Sequence, residues 1–358
     1  MASAVRISGV GSALPENRYP QEMLTQAFKQ YWGPRLENPE QFERLHAHMK
    51  VGTRHLAFPM QRYLEFRTFG DTNAAWFEAA QELGERAIDN ALECAGLSRR
   101  DLHALFVVSV TGVASPSLDA RLINRMDLRP DIKRTPIFGV GCVGGALGLS
   151  RAADYTLAYP NQNAALLAVE TCSLTIQRDD LSITNLIATG LFGDGAAAVI
   201  VSGSGVGRGG KPDGGPEILG NGSFFYPGTE EIMGWDISEE GFKIVLSPQL
   251  MDLIRRNLGR DVDAFLKTHG LTRGDIGNWV IHTGGPRVLE AMQDALGLKQ
   301  SEARLSWDSL GRIGNLSSAS VLMVLEDNVK DHRPAPGTLG VLLAMGPGFC
   351  SEMLLLRW

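Results

Sequence analysis

Apolar residues fall into two kinds of run along the chain. Short unbroken runs, bounded by glycine, proline or small polar residues, predict strands buried on both faces; longer stretches with apolar residues three and four apart predict helices. Runs of the first kind cover 5–9, 103–110, 166–172, the turn and strand at 191–203, the region up to 225, and then 242–246, 278–281, 338–345 and 353–356. Helical spacing covers 19–31, 42–48, 72–95, 248–258, 261–269, 286–296 and 317–328. Within 72–95, Ala74, Ala75, Phe77, Ala80, Leu83, Ala87, Ile88 and Ala91 recur at helical period, Gly96 ends the run, and Ser98 with Asp101 can cap a short turn after it. Residues 116–122 start a helix or a long loop, and a turn at 141–145 opens a helix that runs to Tyr159.

Strands alternating with helices define an α/β protein with both sheet faces covered. Two halves emerge, 1–203 and 204–358, separated near 206–217 by a polar segment rich in glycine and proline. Each half holds one helix that begins in small residues, 144–155 and 317–327, as expected of helices buried against a sheet or against each other. The pattern leaves the strand order open.

Composition narrows the class. The chain has 358 residues, 44% hydrophobic and 21% charged, ordinary for a globular protein. A formal net charge of −6 argues against a nucleic-acid partner, which needs a broad basic surface. A local basic patch does occur near the start, with Arg44, Lys50 and Arg54 beside three histidines; composition alone makes it a solvated face. Cys94, Cys142, Cys172 and Cys350 have no metal-site spacing, so no metal is expected and a reducing cytoplasm is the natural compartment. No basic leader with an apolar run is present, nor any apolar run long enough to span a membrane.

Three polar residues stand at the ends of core elements. Cys172 ends the strand in LLAVETC, His282 ends the strand in WVIHTGGP, and Asn315 precedes a helix in RIGNLSSAS. Singly, each has a plain structural explanation: an inert buried thiol, a core histidine, a helix cap. Together they would support chemistry, because an imidazole can make a thiolate from a thiol and an amide can hold an oxyanion without adding charge. That combination serves acyl transfer through a thioester and carbon–carbon bond formation through an enolate.

The segments GCVGGALGLSRAADY, VETCS, NLIATGLFGDGAAAVIV, IHTGGP, IGNLSSASVLMVLED and AMGPGF, spread from about residue 105 to the C-terminus in matching order, resemble type III polyketide synthases, the chalcone-synthase-like branch of the thiolase fold. The resemblance implies two similar halves with mixed sheets and helices layered α-β-α-β-α. It also implies a catalytic Cys-His-Asn set, placed here at Cys172, His282 and Asn315. Cys172 would take an acyl group from a starter acyl-CoA. His282 and Asn315 would hold the thioester oxygen of malonyl-CoA while it loses CO₂, and the enolate would attack the acyl-cysteine. Free CoA thioesters serve as substrates in that family, without a cofactor, a metal or a carrier arm.

By the same resemblance, Arg44, Lys50 and Arg54 are expected at the CoA phosphates, with Gln41 and His48 standing where many plant members carry lysine. Gly284 and Gly285 would admit the pantetheine arm, and 346–348 would scaffold the cavity wall. Val110, Thr111, Ser115, Phe192 and Ser317 are expected to line the cavity, with Ser115 on a segment that crosses towards the second subunit of a homodimer. The segment Met233-Gly234-Trp235-Asp236 and the short interval from Cys172 to His282 favour a bacterial branch. Small residues at Thr111, Ser115 and Ser317 suggest a long-chain fatty acyl starter and an alkylpyrone or alkylresorcinol product. The alternatives are an initiating-type 3-oxoacyl-ACP synthase, a malonyl-primed tetrahydroxynaphthalene synthase (which a cysteine near Thr111 would have supported), a silent scaffold of the same fold, and a cysteine-histidine hydrolase.

Overall fold

The computed structural model describes residues 5–206 and 215–358; the centre of the expected boundary, 207–214, lies outside them. The N-terminal half runs β1 (Val5–Ala13), β2 (Asn17–Pro20), α1 (Gln21–Trp32), α2 (Pro39–His48), β3 (Thr53–Leu56), α3 (Phe69–Ala95), β4 (Leu102–Val108), α4 (Leu118–Arg125), β5 (Lys133–Ile137), α5 (Gly144–Ala158), β6 (Asn163–Thr171), α6 (Ile183–Leu191) and β7 (Asp194–Ser202). The C-terminal half runs β8 (Glu217–Phe225), β9 (Met233–Ser238), β10 (Gly241–Leu246), α7 (Leu250–Thr268), β11 (Asn278–Ile281), α8 (Pro286–Leu296), α9 (Arg304–Ile313), α10 (Ser320–Lys330), β12 (Leu339–Gly346) and β13 (Cys350–Arg357).

Nine strands form one mixed sheet in the order β11-β12-β13-β8-β1-β7-β6-β4-β5. Only two residue pairs, Val5 with Ile218 and Arg6 with Glu217, join β1 to β8, so the sheet has two arms, one from each half. β6 and β7 are buried at every position, which explains their unbroken apolar sequence. The two arms face each other across α5 and α10: Ala146, Leu149, Val321 and Leu322 pack with Val108 and Leu166 of one arm and Leu342 and Leu354 of the other. α3 covers the outer face of the first arm, where Leu83 and Ile88 meet Leu105 and Leu167. α7 and α8 cover the outer face of the second, where Ile254 and Leu289 meet Ile281 and Leu343. These are the five layers of a thiolase-like fold.

Small residues set the depth of the middle layer. A Cβ on Gly144 would stand 2.5 Å from Val108 Cγ1, on Gly145 2.2 Å from the Ser318 carbonyl oxygen, and on Gly148 2.5 Å from Leu166 Cδ1. α5 therefore lies against β4, β6 and the lead-in to α10 at distances that only glycine allows.

Several elements depart from the sequence pattern. The expected helices 248–258 and 261–269 are one helix, α7. Gly259, between the two stretches, is a point of close approach: a Cβ there would stand 2.7 Å from the Ala295 carbonyl oxygen of α8. α6 is helical although it follows a segment that reads as surface polar; the Ser182 hydroxyl accepts from Asn185 N and starts it. The short strands β2, β3, β5 and β9 carry too little alternating apolar sequence to be seen in the pattern, and α9 (Arg304–Ile313) is a helix not expected from it.

Candidate active site

Three loops converge where the middle layer meets the edges of the two arms. The first is the 3₁₀ turn Gly141–Val143, which leads straight into α5 and carries Cys142. The second follows β11 and carries His282, whose backbone N–H donates to Leu343 O (3.0 Å). The third joins α9 to α10 and carries Asn315 and Ser317. A fourth piece, the turn after α6 with Phe192 and Gly193, is tied to the third by Gly193 N to Asn315 O (2.9 Å) and Asn315 N to Leu191 O (3.0 Å).

These loops enclose one cavity of about 70 Å³ whose lining includes Cys142, His282, Asn315, Ser317 and Phe192. Val110, Gly141, Gly284, Pro347 and Phe349 also face it, so the glycine-proline turn at 346–348 does form part of the wall. The remaining wall is apolar and bulky: Met233, Trp235, Ile244 and Leu246 from the β9–β10 ribbon, and Leu250, Ile254 and Met292 from α7 and α8.

Polar contacts orient the reacting groups. Asn315 Oδ1 accepts from Ser317 N (2.8 Å) and Ser320 Oγ (3.2 Å). Its amide nitrogen is thereby left to face the cavity as a donor. The Cys142 thiol reaches Ser317 Oγ at 3.7 Å. Burial pushes this thiol up to about 11 and the Glu170 charge acts in the same sense, while hydrogen bonds with Ser317 and Asn315 act in the opposite one. Both ring nitrogens of His282 are buried without a protein partner, and burial alone lowers it to about 4. Thiol and imidazole therefore face each other's cavity in their neutral forms.

Cys172, the nucleophile expected from sequence, is not among these lining residues. It opens the 3₁₀ turn Cys172–Thr175 after β6 and faces a separate cavity of about 10 Å³ with Thr175, Asn185, Phe192, Trp235 and Ile244. Burial raises this thiol well above its usual value, and the charges of Glu170 and Asp194 raise it further. Its nearest electrostatic neighbours are acidic, the wrong surroundings for a thiolate. Cys142 instead precedes the N-terminus of α5, where the helix dipole favours a negative sulfur. That signal was present in GCVGG, a cysteine followed at once by the small residues of a buried helix.

Other expected residues divide in the same way. Gly284 faces the cavity, while Gly285, at φ 122°, packs on Leu191. Thr111 is buried off the cavity, donating to Glu170 Oε2 (2.8 Å), and Ser115 is exposed on its loop. Arg44 is exposed in a surface groove of about 400 Å³ shared with Arg35, Gln41 and His48. Lys50 pairs with Glu290 at 3.8 Å over the Trp307 ring. Arg54 is only 1% exposed, so it cannot reach a phosphate at the surface. Glu170 escaped the sequence reading altogether. It is fully buried, accepts from Val110 N (3.1 Å), Thr111 Oγ1 and Ser318 Oγ, and burial raises it to about 7. It fixes Val110 and the lead-in to α10 from behind the cavity.

A five-layer α-β-α-β-α fold with a thiol, an imidazole and an amide meeting at the start of its central helix defines a thiolase-like condensing enzyme. The chain belongs to the chalcone and stilbene synthases, matching the N-terminal domain of that family over 2–205 and the C-terminal domain over 218–358. It is 50% identical over 352 residues to 1,3,6,8-tetrahydroxynaphthalene synthase of Streptomyces peucetius subsp. caesius, covering 98% of this chain and 93% of that one. Among solved structures it superposes on 1,3,6,8-tetrahydroxynaphthalene synthase of Streptomyces coelicolor A3(2) with a TM-score of 0.88 at 31% identity, covering 99% of each chain. It superposes on PKS-I of the brown alga Ectocarpus siliculosus with a TM-score of 0.91 at 30% identity, covering 100% and 99%. The chain is a type III polyketide synthase, an acyltransferase of the decarboxylative condensing kind.

Proposed function

We propose that this enzyme uses malonyl-CoA both as starter and as extender and cyclises the resulting chain to a tetrahydroxynaphthalene. The observation that carries the reading is the 50% identity, along nearly the whole chain, to a tetrahydroxynaphthalene synthase. The far wall of the cavity is bulky and apolar, made by Met233, Trp235, Ile244, Leu250 and Ile254. Of the small residues Thr111, Ser115 and Ser317 behind the expected fatty acyl starter and alkylpyrone or alkylresorcinol product, only Ser317 lines the cavity, so that expectation loses most of its support. The lack of a cysteine near Thr111 does not count against the reading either, since Thr111 is turned onto Glu170.

In this reading Cys142, not Cys172, is the nucleophile. The neutral His282 imidazole takes the Cys142 proton as the thioester of malonyl-CoA arrives, and the sulfur attacks the carbonyl carbon while CoA leaves as its thiol. A second malonyl-CoA then places its thioester oxygen between His282 and the Asn315 amide. These donors hold the negative charge that develops there as the carbon–carbon bond to CO₂ breaks. The enolate carbon attacks the acyl-Cys142 carbonyl and displaces the sulfur; the lengthened chain, now a CoA thioester, is transferred back to Cys142 with release of CoA before the next round. Phe192 forms the apolar face on which the carboxylate is desolvated. Arg44, with Arg35 and His48 in the neighbouring groove, is the basic set available to the CoA phosphates. A homodimer fits the free edge of β5 and the half-exposed Phe138 and Val113 beside it. Purified enzyme given labelled malonyl-CoA alone should yield tetrahydroxynaphthalene by mass spectrometry; a product formed only when a fatty acyl-CoA is added would restore the alkyl reading.

A further inference from the structure

Arg54 is the largest buried cation among the described residues, and it has no carboxylate within ion-pair distance. Its Nε donates to Gln21 Oε1 (2.9 Å) and its Nη1 to the carbonyl oxygen of Phe192 (2.9 Å), while Nη2 has no hydrogen-bond partner. A buried guanidinium so placed is a poor device for stability alone. Its stem lies between two glycines: a Cβ on Gly314 would stand 3.5 Å from Arg54 Cγ, and one on Gly193 3.8 Å from the same atom. Those glycines flank Asn315 and Phe192.

The rest of the same segment repeats the pattern. Gly52 N donates to Gly311 O (2.7 Å) and the Thr53 hydroxyl donates to Arg312 O, both at the end of α9 that feeds Asn315. Ala57 N donates to Asp194 Oδ2 (2.6 Å), two residues after Phe192. Residues 52–57 thus touch the turn carrying Phe192 from the N-terminal half and the loop carrying Asn315 from the C-terminal half.

We infer that Arg54 is a positioning residue for decarboxylation: it clamps the Phe192 turn against the Asn315 loop and so fixes the spacing of the two groups that act on the malonyl thioester. This rests on the condensing role given above to Asn315 and Phe192. It replaces the CoA-phosphate role that the basic patch suggested for Arg54, which burial forbids.

The test compares wild type, Arg54→Met, Arg54→Lys and Thr53→Val for release of CO₂ from malonyl-CoA. Displacing a reacting group by a fraction of an ångström to 1 Å costs up to about a hundredfold in rate. Arg54→Met should lower kcat at least about tenfold while leaving KM for malonyl-CoA within about twofold, the mark of an interaction lost only in the transition state. Arg54→Lys, which keeps the charge and one donor, should fall between it and wild type. Thr53→Val, on a partly exposed strand, should lower kcat by a smaller factor at unchanged KM, and it decides the matter if Arg54→Met does not fold. A raised KM at unchanged kcat in the Arg54 variants would mean that Arg54 serves CoA after all. Unchanged kcat and KM with a lower melting temperature would reduce it to a structural residue. Either result, in a wild type that decarboxylates malonyl-CoA, overturns the positioning role alone; a wild type that releases no CO₂ overturns the condensing function itself.

Discussion

His282 shows how burial sets the chemistry at this site. A buried imidazole with no protein partner is held neutral down to about pH 4, against an ordinary value of 6.5. The folded state therefore takes up its proton later than the unfolded chain does as pH falls. The sign follows: this residue's contribution is fully present above about pH 6.5 and is lost as pH falls towards 4. The shift corresponds to on the order of 3 kcal/mol. The difference in unfolding free energy between wild type and His282→Gln, measured by denaturant titration, should shrink by that order between pH 7 and pH 4. A difference that stays constant would show that His282 is protonated or solvated in the folded protein. His282 and Asn315 were both legible in sequence, because each ends a core element inside a dense motif. Cys142 carried a signal of its own in GCVGG, but the strand-end position of Cys172 looked more favourable. The three-dimensional surroundings separate the two thiols: Glu170 bears on both, but Ser317, Asn315 and a helix N-terminus oppose it at Cys142, whereas Asp194 adds to it at Cys172.

At the scale of elements, α5 and the β9–β10 ribbon do different work. α5 brings Cys142 to Ser317 because Gly145 lets it touch the lead-in to α10. Gly145→Ala would put a Cβ 2.2 Å from a backbone oxygen that has no side-chain freedom to give way. That overpacking should cost roughly 1–3 kcal/mol and pull Cys142 from Asn315, so the variant should melt lower and load acyl groups more slowly; an unchanged melting temperature would mean the two helix starts are looser than described. The β9–β10 ribbon pairs only with itself, yet supplies much of the apolar wall. Trp235 stands between the main cavity and the small one at Cys172. Trp235→Ala should therefore join the two spaces and admit longer acyl-CoA starters, read as new products in a starter panel; an unchanged product range would place the limit elsewhere. β10 was readable from its apolar run, but β9 was not, since Trp235-Asp236 interrupts the pattern that marks a strand.

On the scale of the whole molecule, the site exists because two arms with separate outer cores are pressed onto one shared middle layer. The alternation of strands and helices predicted an α/β protein of two halves with covered sheet faces, while the five-layer arrangement was what the family resemblance implied. The strand order was not readable, because β1 pairs with β7, far along the chain, and β8 pairs with β13. Sedimentation should give twice the mass of the 38.8 kDa chain, with a fully active monomer as the contrary result. Among the described residues no helix is long and apolar enough to cross a membrane, and no cluster of three or more histidine, cysteine or acidic side chains is arranged to hold a metal ion. The central claim is that acyl transfer begins on the thiol at the head of α5. Trypsin separates the two candidates, leaving Cys142 in peptide 135–151 and Cys172 in peptide 152–178. After a brief incubation with malonyl-CoA and an acid quench, mass spectrometry should find the acyl adduct on peptide 135–151, abolished by Cys142→Ala and retained in Cys172→Ala. An adduct on peptide 152–178 that survives Cys142→Ala would contradict the account.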